Sequence, residues 1–106
     1  MIDRLTPSQL HDRLRGDDPP LLVDVREDWE RDLASLPGSV AVPMGQVPAR
    51  VDELPRDRDI ALFCHHGSRS MQVALWLEAQ GYDRLANLEG GIDGWSVHDP
   101  EVPRYS

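Results

Sequence analysis

The sequence predicts an α/β fold, with a mostly parallel central sheet flanked by helices. Three observations carry this. Short apolar runs alternate with helical patterns along the whole chain, the order of strand–helix units. Leu21-Leu22-Val23-Asp24-Val25 is the clearest buried strand. Residues 71–80 are apolar on most of their girth (Met71, Val73, Ala74, Leu75, Trp76, Leu77), as suits a well-buried helix.

The elements follow in order. Ile2–Leu5 reads as a short edge strand. Thr6 caps a first helix, with Pro7 at its first position and Gln9 completing a capping box. That helix ends near Gly16, and Asp17-Asp18-Pro19-Pro20 is a loop. After the strand at 21–25, residues 26–32 suggest a short helix. Leu36-Pro37-Gly38-Ser39 is a turn, and Val40-Ala41-Val42 is a brief strand stopped by Pro43. Residues 46–54 suggest another helix, with Pro48 near its start. Ile60–Phe63 is a strand that delivers Cys64, and Gly81 stops the helix that follows. Leu85–Leu88 is the last strand, Gly90-Gly91 opens a final turn or helix containing Trp95, and residues 98–106 form an irregular strap.

The 106 residues suit one domain, 1–106. Apolar content of 40% and charged content of 28% are those of an ordinary globular protein. The net charge is −8, and all 11 basic residues are arginine. Such an acidic chain is a poor partner for nucleic acid or an anionic membrane. The N-terminal residues lack the basic start and apolar run of a signal peptide. One cysteine excludes an internal disulfide, and the expected compartment is the reducing cytoplasm.

That cysteine opens the run Cys64-His65-His66-Gly67-Ser68-Arg69-Ser70, between a strand and a helix. The first N–H groups of a helix have no partner inside it and carry the positive end of its dipole. A short loop entering the helix can turn several N–H groups inward and make an anion cradle. Gly67 suits the backbone angles this requires, and Arg69 adds a donor fork matched to oxyanions. A thiol in that field ionises more easily, and the thiolate is the nucleophile. A lone cysteine is often a small buried hydrophobe, but here it stands with a glycine, an arginine and a helix start. The loop residues also include metal-ligand types. Zinc ligands, however, come in spaced pairs, and three adjacent residues do not converge easily on one ion. No metal is therefore expected. Ligands of open α/β sheets gather at the carboxyl ends of strands. Cys64, the segment from Asp24 to Arg26 and the segment from Leu88 to Gly91 all lie at such ends.

Taken together, these segments resemble the rhodanese family over nearly the whole chain. The resemblance rests on Leu22-Val23-Asp24-Val25-Arg26-Glu27 with Trp29-Glu30, Leu36-Pro37-Gly38-Ser39 with Val42-Pro43, and Leu54-Pro55. The Cys64 loop, Gly81-Tyr82 and Leu88-Glu89-Gly90-Gly91 with Gly94-Trp95 complete it. It implies a small sulfurtransferase in which Cys64 takes a sulfur atom from a donor such as thiosulfate and becomes a persulfide. The sulfur then passes to cyanide, a low-molecular-weight thiol or a protein. The resemblance implies no cofactor. It also implies substrate binding by His65, His66, Gly67, Ser68, Arg69 and Ser70. One departure is visible: Ala34-Ser35 stands where the family commonly has Gly-His.

Two other classes compete with this reading. Noncatalytic rhodanese-like modules often lack the cysteine, and its presence with Arg69 favours an enzyme. Phosphatases and arsenate reductases of similar fold place five residues between cysteine and arginine. Here four intervene (His65, His66, Gly67 and Ser68), which makes a smaller bowl, suited more to a sulfur atom than to phosphate.

The remaining residues have quieter expectations. Ser70 serves mainly as a helix-start donor. His65 and His66 are open between tuning the thiolate, touching donor oxyanions and lining the rim. Asp24 and Arg26 form a structural pair that braces the loop. Trp95 is core or lid, and Trp29 and Trp76 are packing residues. Asp52-Glu53 and Asp57-Arg58-Asp59 are solvated charge.

Overall fold

Five parallel strands in the order β1-β5-β4-β2-β3 form the centre of the computed structural model, which describes residues 2–105. The elements are β1 (Ile2–Leu5), α1 (Pro7–Leu14), β2 (Leu21–Asp24), α2 (Asp28–Leu33), β3 (Val40–Ala41), α3 (Val47–Arg50), β4 (Ile60–Phe63), α4 (Ser68–Ala79), β5 (Leu85–Leu88) and α5 (Gly91–His98). β1 lies at an edge, as the sequence predicts, and pairs with β5 in the register Ile2 to Leu85.

Helices cover both faces of the sheet, so the central strands show no polar alternation. All four residues of β4 are buried. Ile60, Leu62 and Cys64 join the core that also holds Val47, Val73 and Leu77 from α3 and α4. Ala61 and Phe63 join the opposite core, with Leu10 of α1 and Ile92 and Trp95 of α5. The strand period of two therefore continues into the loop and places Cys64 on the α4 side.

Local chemistry sets the helix ends. In α1 the Thr6 hydroxyl accepts from the Gln9 N–H (3.2 Å), while Gln9 Oε1 accepts from the Thr6 N–H (2.9 Å). This is the capping box read from the sequence. Three helices start or continue differently from the sequence reading, while β2 and β3 each end one residue earlier than read. The expected helix at 26–32 begins at Asp28, because Glu27 is extended and serves as its cap. The expected helix at 46–54 is a composite: only Val47–Arg50 is α-helical, flanked by 3₁₀ turns at Met44–Gln46 and Val51–Glu53. The helix expected at 71–80 starts three residues earlier, at Ser68, with Gly67 as cap in the left-handed region (φ 109°).

Trp95 is buried, but Trp29 is 60% exposed, so the packing role expected for it is corrected. The neighbouring Glu30 takes the inward position on α2. The strap expected at 98–106 starts after α5, which retains His98, and Ser106 lies outside the described residues. Among the described residues no helix is long and apolar enough to cross a membrane.

Candidate active site

Cys64 follows the last residue of β4, the middle strand of the sheet, and its side chain is almost wholly enclosed (1% exposed). Two carbonyls of the loop are taken up by α5. Cys64 O accepts from the Ile92 N–H (2.8 Å) and His65 O from the Asp93 N–H (3.0 Å). The first turn of α5, whose N–H groups lack partners inside the helix, therefore holds the loop carbonyls. Gly91, at φ 59°, makes this approach possible: a Cβ there would collide with the Cys64 and His65 carbonyl oxygens.

With these two carbonyls held by α5, N–H groups turn toward the sulfur. The Gly67 N–H donates to Cys64 Sγ (3.1 Å), and the Ser70 hydroxyl lies 3.4 Å from it. Burial pushes the Cys64 thiol up. The Ser70 hydroxyl and the N–H groups of Ser70, Gly67 and His66 pull it down, and the balance falls below the ordinary value of a thiol. This favours the thiolate, the reactive form.

The capping role expected of Ser70 is corrected. It is the third residue of α4, and no side chain caps that helix. The fully buried Ser70 hydroxyl instead faces Gly67 O (3.2 Å), Asn87 Oδ1 (2.5 Å) and the sulfur. Ser68 opens α4 and is exposed.

Arg69 also differs from expectation. Its fork closes on the Glu30 carboxylate, with Nη1 to Oε1 at 2.6 Å and Nη2 to Oε2 at 2.7 Å. Glu30 is 3% exposed and is held further by the Tyr105 hydroxyl, which donates to Oε2 (2.8 Å). The Arg69 hydrogen bonds lower the Glu30 carboxyl to about 2, outweighing the effect of burial. In return Glu30 raises the Arg69 guanidinium further, and the charge of Cys64 adds to this. The bidentate geometry is the strong form of an arginine–carboxylate bond.

Arg26 and Asp24 lie beneath this layer, both fully buried. Arg26 Nε and Nη2 donate to the two Asp24 oxygens (2.9 and 2.8 Å). Its other bonds go to Glu30 O (3.3 Å), Ala34 O (2.8 Å) and the Tyr105 hydroxyl (2.9 Å). Arg31 adds a second donor to Asp24 Oδ2 (2.8 Å). The Ala34 contact uses a backbone carbonyl, which any residue supplies, so the departure at Ala34-Ser35 leaves that bond intact.

The two histidine rings face outward. His65 Nε2–H donates to the Tyr105 carbonyl (2.8 Å), and its ring stacks on that of Tyr105 at 4.1 Å and 9°. His66 Nδ1 lies 3.8 Å from Asp93, which also binds Arg104. His65, His66, Asp93, Arg104 and Tyr105 line an open pocket beside the loop. The sequence reading gave Glu30, Asn87 and Tyr105 no role in the site. Asn87 carried a usable signal, because a polar side chain inside an apolar strand needs a buried partner.

The comparisons with known proteins show the family. A family model of the rhodanese-like domain matches residues 6–98. The chain belongs to the rhodanese-like domain family. A protein of Allochromatium vinosum named a sulfurtransferase is 38% identical over 98 residues, spanning 92% of each chain. The GlpE protein of Tolumonas auensis, named a thiosulfate sulfurtransferase, is 26% identical over 74 residues, spanning 70% of each. The crystal structure of a rhodanese-like domain protein from Staphylococcus aureus superposes with a TM-score of 0.86 at 30% identity, covering 99% of this chain and all of that one. In this rhodanese-like domain the thiol loop, its α5 clamp and the Glu30–Arg69 pair occupy the carboxyl edge of the sheet.

Proposed function

We propose that this rhodanese-like domain is a sulfurtransferase that works through a Cys64 persulfide. The observation that carries the reading is the convergence of the Gly67 N–H and the Ser70 hydroxyl on a sulfur whose acidity is enhanced. The names of its relatives support sulfur transfer as the chemistry.

In the first half-reaction the Cys64 thiolate attacks the outer sulfur of a small anionic donor such as thiosulfate. A bond forms between Sγ and that sulfur, the donor's S–S bond breaks, and its electron pair leaves with sulfite. The persulfide keeps the single negative charge of the thiolate, so the donors that held the thiolate hold the product too. In the second half-reaction a thiophilic acceptor (cyanide, a low-molecular-weight thiol or a protein thiol) attacks the outer sulfur and releases the Cys64 thiolate. A reducing compartment such as the cytoplasm keeps this thiol usable. Arg69 supplies the positive field for the incoming anion, and the donor competes with Glu30 for its fork.

Intact-mass analysis after incubation with thiosulfate tests the reading. The expected result is a gain of one sulfur atom, lost on addition of cyanide and absent in Cys64→Ser. No gain with thiosulfate or with other sulfane donors overturns it.

A further inference from the structure

Asn87 is the third residue of β5 and is 1% exposed, in a strand otherwise made of leucine and alanine. Burying an amide is costly unless its polar atoms are bonded. Here both point at the thiol loop. Nδ2 donates to Gly67 O (3.1 Å), and Oδ1 accepts from the Ser70 hydroxyl (2.5 Å). A carbonyl can only accept, so Gly67 O fixes the amide's orientation and leaves Oδ1 for Ser70.

We propose that Asn87 is a positioning residue of the sulfur site, holding Gly67 and the Ser70 hydroxyl where they serve a negatively charged sulfur. Two links carry this. First, Gly67 sits at φ 109° with its N–H on the sulfur, and its carbonyl is tied to β5 by Asn87 alone among the described side chains of that strand. Second, the Ser70 hydroxyl has one proton and three acceptors in reach: Asn87 Oδ1 at 2.5 Å, Gly67 O at 3.2 Å and Cys64 Sγ at 3.4 Å. A neutral amide oxygen yields that proton to an ionised sulfur, because hydrogen bonds to charged groups are roughly twice as strong. Without Asn87, Gly67 O keeps the Met71 N–H (3.1 Å) but loses its tie to β5. The Ser70 hydroxyl also loses the 2.5 Å partner that anchors its oxygen beside the sulfur. The thiolate loses the aim of both donors, the Gly67 N–H and the Ser70 hydroxyl.

The inference rests on Cys64 acting as a thiolate, but it is read without any sulfur donor. The charged and titratable groups around the loop are Arg69 of α4, Glu30 of α2, Asp93 of α5, His65, His66 and Tyr105, and Asn87→Leu leaves all of them in place. In that variant the pH midpoint of Cys64 alkylation by iodoacetamide should rise by about one unit, with about tenfold slower alkylation below the midpoint. A folded variant with lower melting temperature and an unchanged midpoint marks a merely structural amide and overturns the inference. A second measurement needs no variant at this position. In the wild-type protein the Asn87 side-chain amide and the Gly67 N–H resonances should shift with the ionisation of Cys64, and stay fixed over the same pH range in Cys64→Ser. Resonances that ignore that ionisation in the wild type overturn the inference. Loss of sulfur loading in Asn87→Leu alone decides nothing here, so failure of the proposed activity and failure of this inference are separately visible.

Discussion

The two edges of the sheet carry the same kind of charge pair to different ends. At the amino edge Asp59 bridges Arg13 and Arg84, each at 2.9 Å. At the carboxyl edge Asp24 bridges Arg26 and Arg31, each at 2.8 Å, and Glu30 grips Arg69. Distances alone do not separate the two sets. Burial does: the side chain of Asp59 is 32% exposed, whereas Asp24 is fully enclosed. Water screens the first set, and both partners keep hydration if the pair breaks. The second set stands in a low-dielectric layer, where a lone charge is expensive. The pairs around the thiol therefore act as rigid parts of the site, and those at the far edge act as surface decoration.

Asp24→Asn gives the sharpest break of this comparison. It leaves the shape of the side chain intact and strands the Arg26 guanidinium without its carboxylate. Removing one partner of a buried pair costs about 3–5 kcal/mol. Chemical unfolding at neutral pH should show a loss of that size. A loss below about 1 kcal/mol would put this pair in the exposed class and erase the distinction between the edges.

Glu30→Gln comes next and carries a pH signature. The carboxyl of Glu30 is lowered from its ordinary value of 4.5 to about 2 in the fold. A group depressed in this way stabilises the protein above its unfolded value and loses that contribution as pH falls through its folded value. The contribution is about 3 kcal/mol at neutral pH by linkage. The wild type should therefore lose stability between about pH 4.5 and 2 relative to Glu30→Gln. The gap between the two proteins should be widest near neutrality. The variant also frees the Arg69 fork, so the KM for an anionic sulfur donor should fall while its stability drops. Unfolding curves across this pH range check the first expectation, and a gap that stays constant from pH 7 to 2 rejects it.

The same contrast explains how much of the molecule was legible in its sequence. The alternation of apolar runs and helix signals placed all five strands to within one residue. Thr6 and Gln9 gave α1 because their bonds are local. Cys64 was visible because a thiol between a strand and a helix start has few other uses. Glu30 was hidden in the charged run of α2, since its burial depends on Arg69, 39 positions later, and on Tyr105 in the tail. For the same reason Trp29 was expected inside and lies outside: a six-residue helix gives its inward place to one side chain, and the partner of Glu30 decided which. The start of α4 was misplaced because Gly67 caps it through its backbone angles, with no side-chain signal. Ser70 was read as a cap on that misplaced boundary. What was missed depends on pairing between distant segments, which local patterns do not encode.

Asp59→Asn should have the smallest effect. Arg84 contributes most to lowering the Asp59 carboxyl, and Arg13 adds less. Both arginines are at least a third exposed, and the Asp59 backbone carbonyl, which accepts from the Leu21 N–H (2.8 Å), survives the change. The loss should be about 0.2–1 kcal/mol. It should also shrink as salt is raised, because charges in contact with solvent are screened over a Debye length of about 8 Å at physiological ionic strength. For Asp24→Asn the loss should be nearly independent of salt. Unfolding both variants at low and at molar salt measures the two slopes side by side. A salt-independent loss of several kcal/mol for Asp59→Asn would show that the amino edge is as rigid as the site, and that burial is not what separates them.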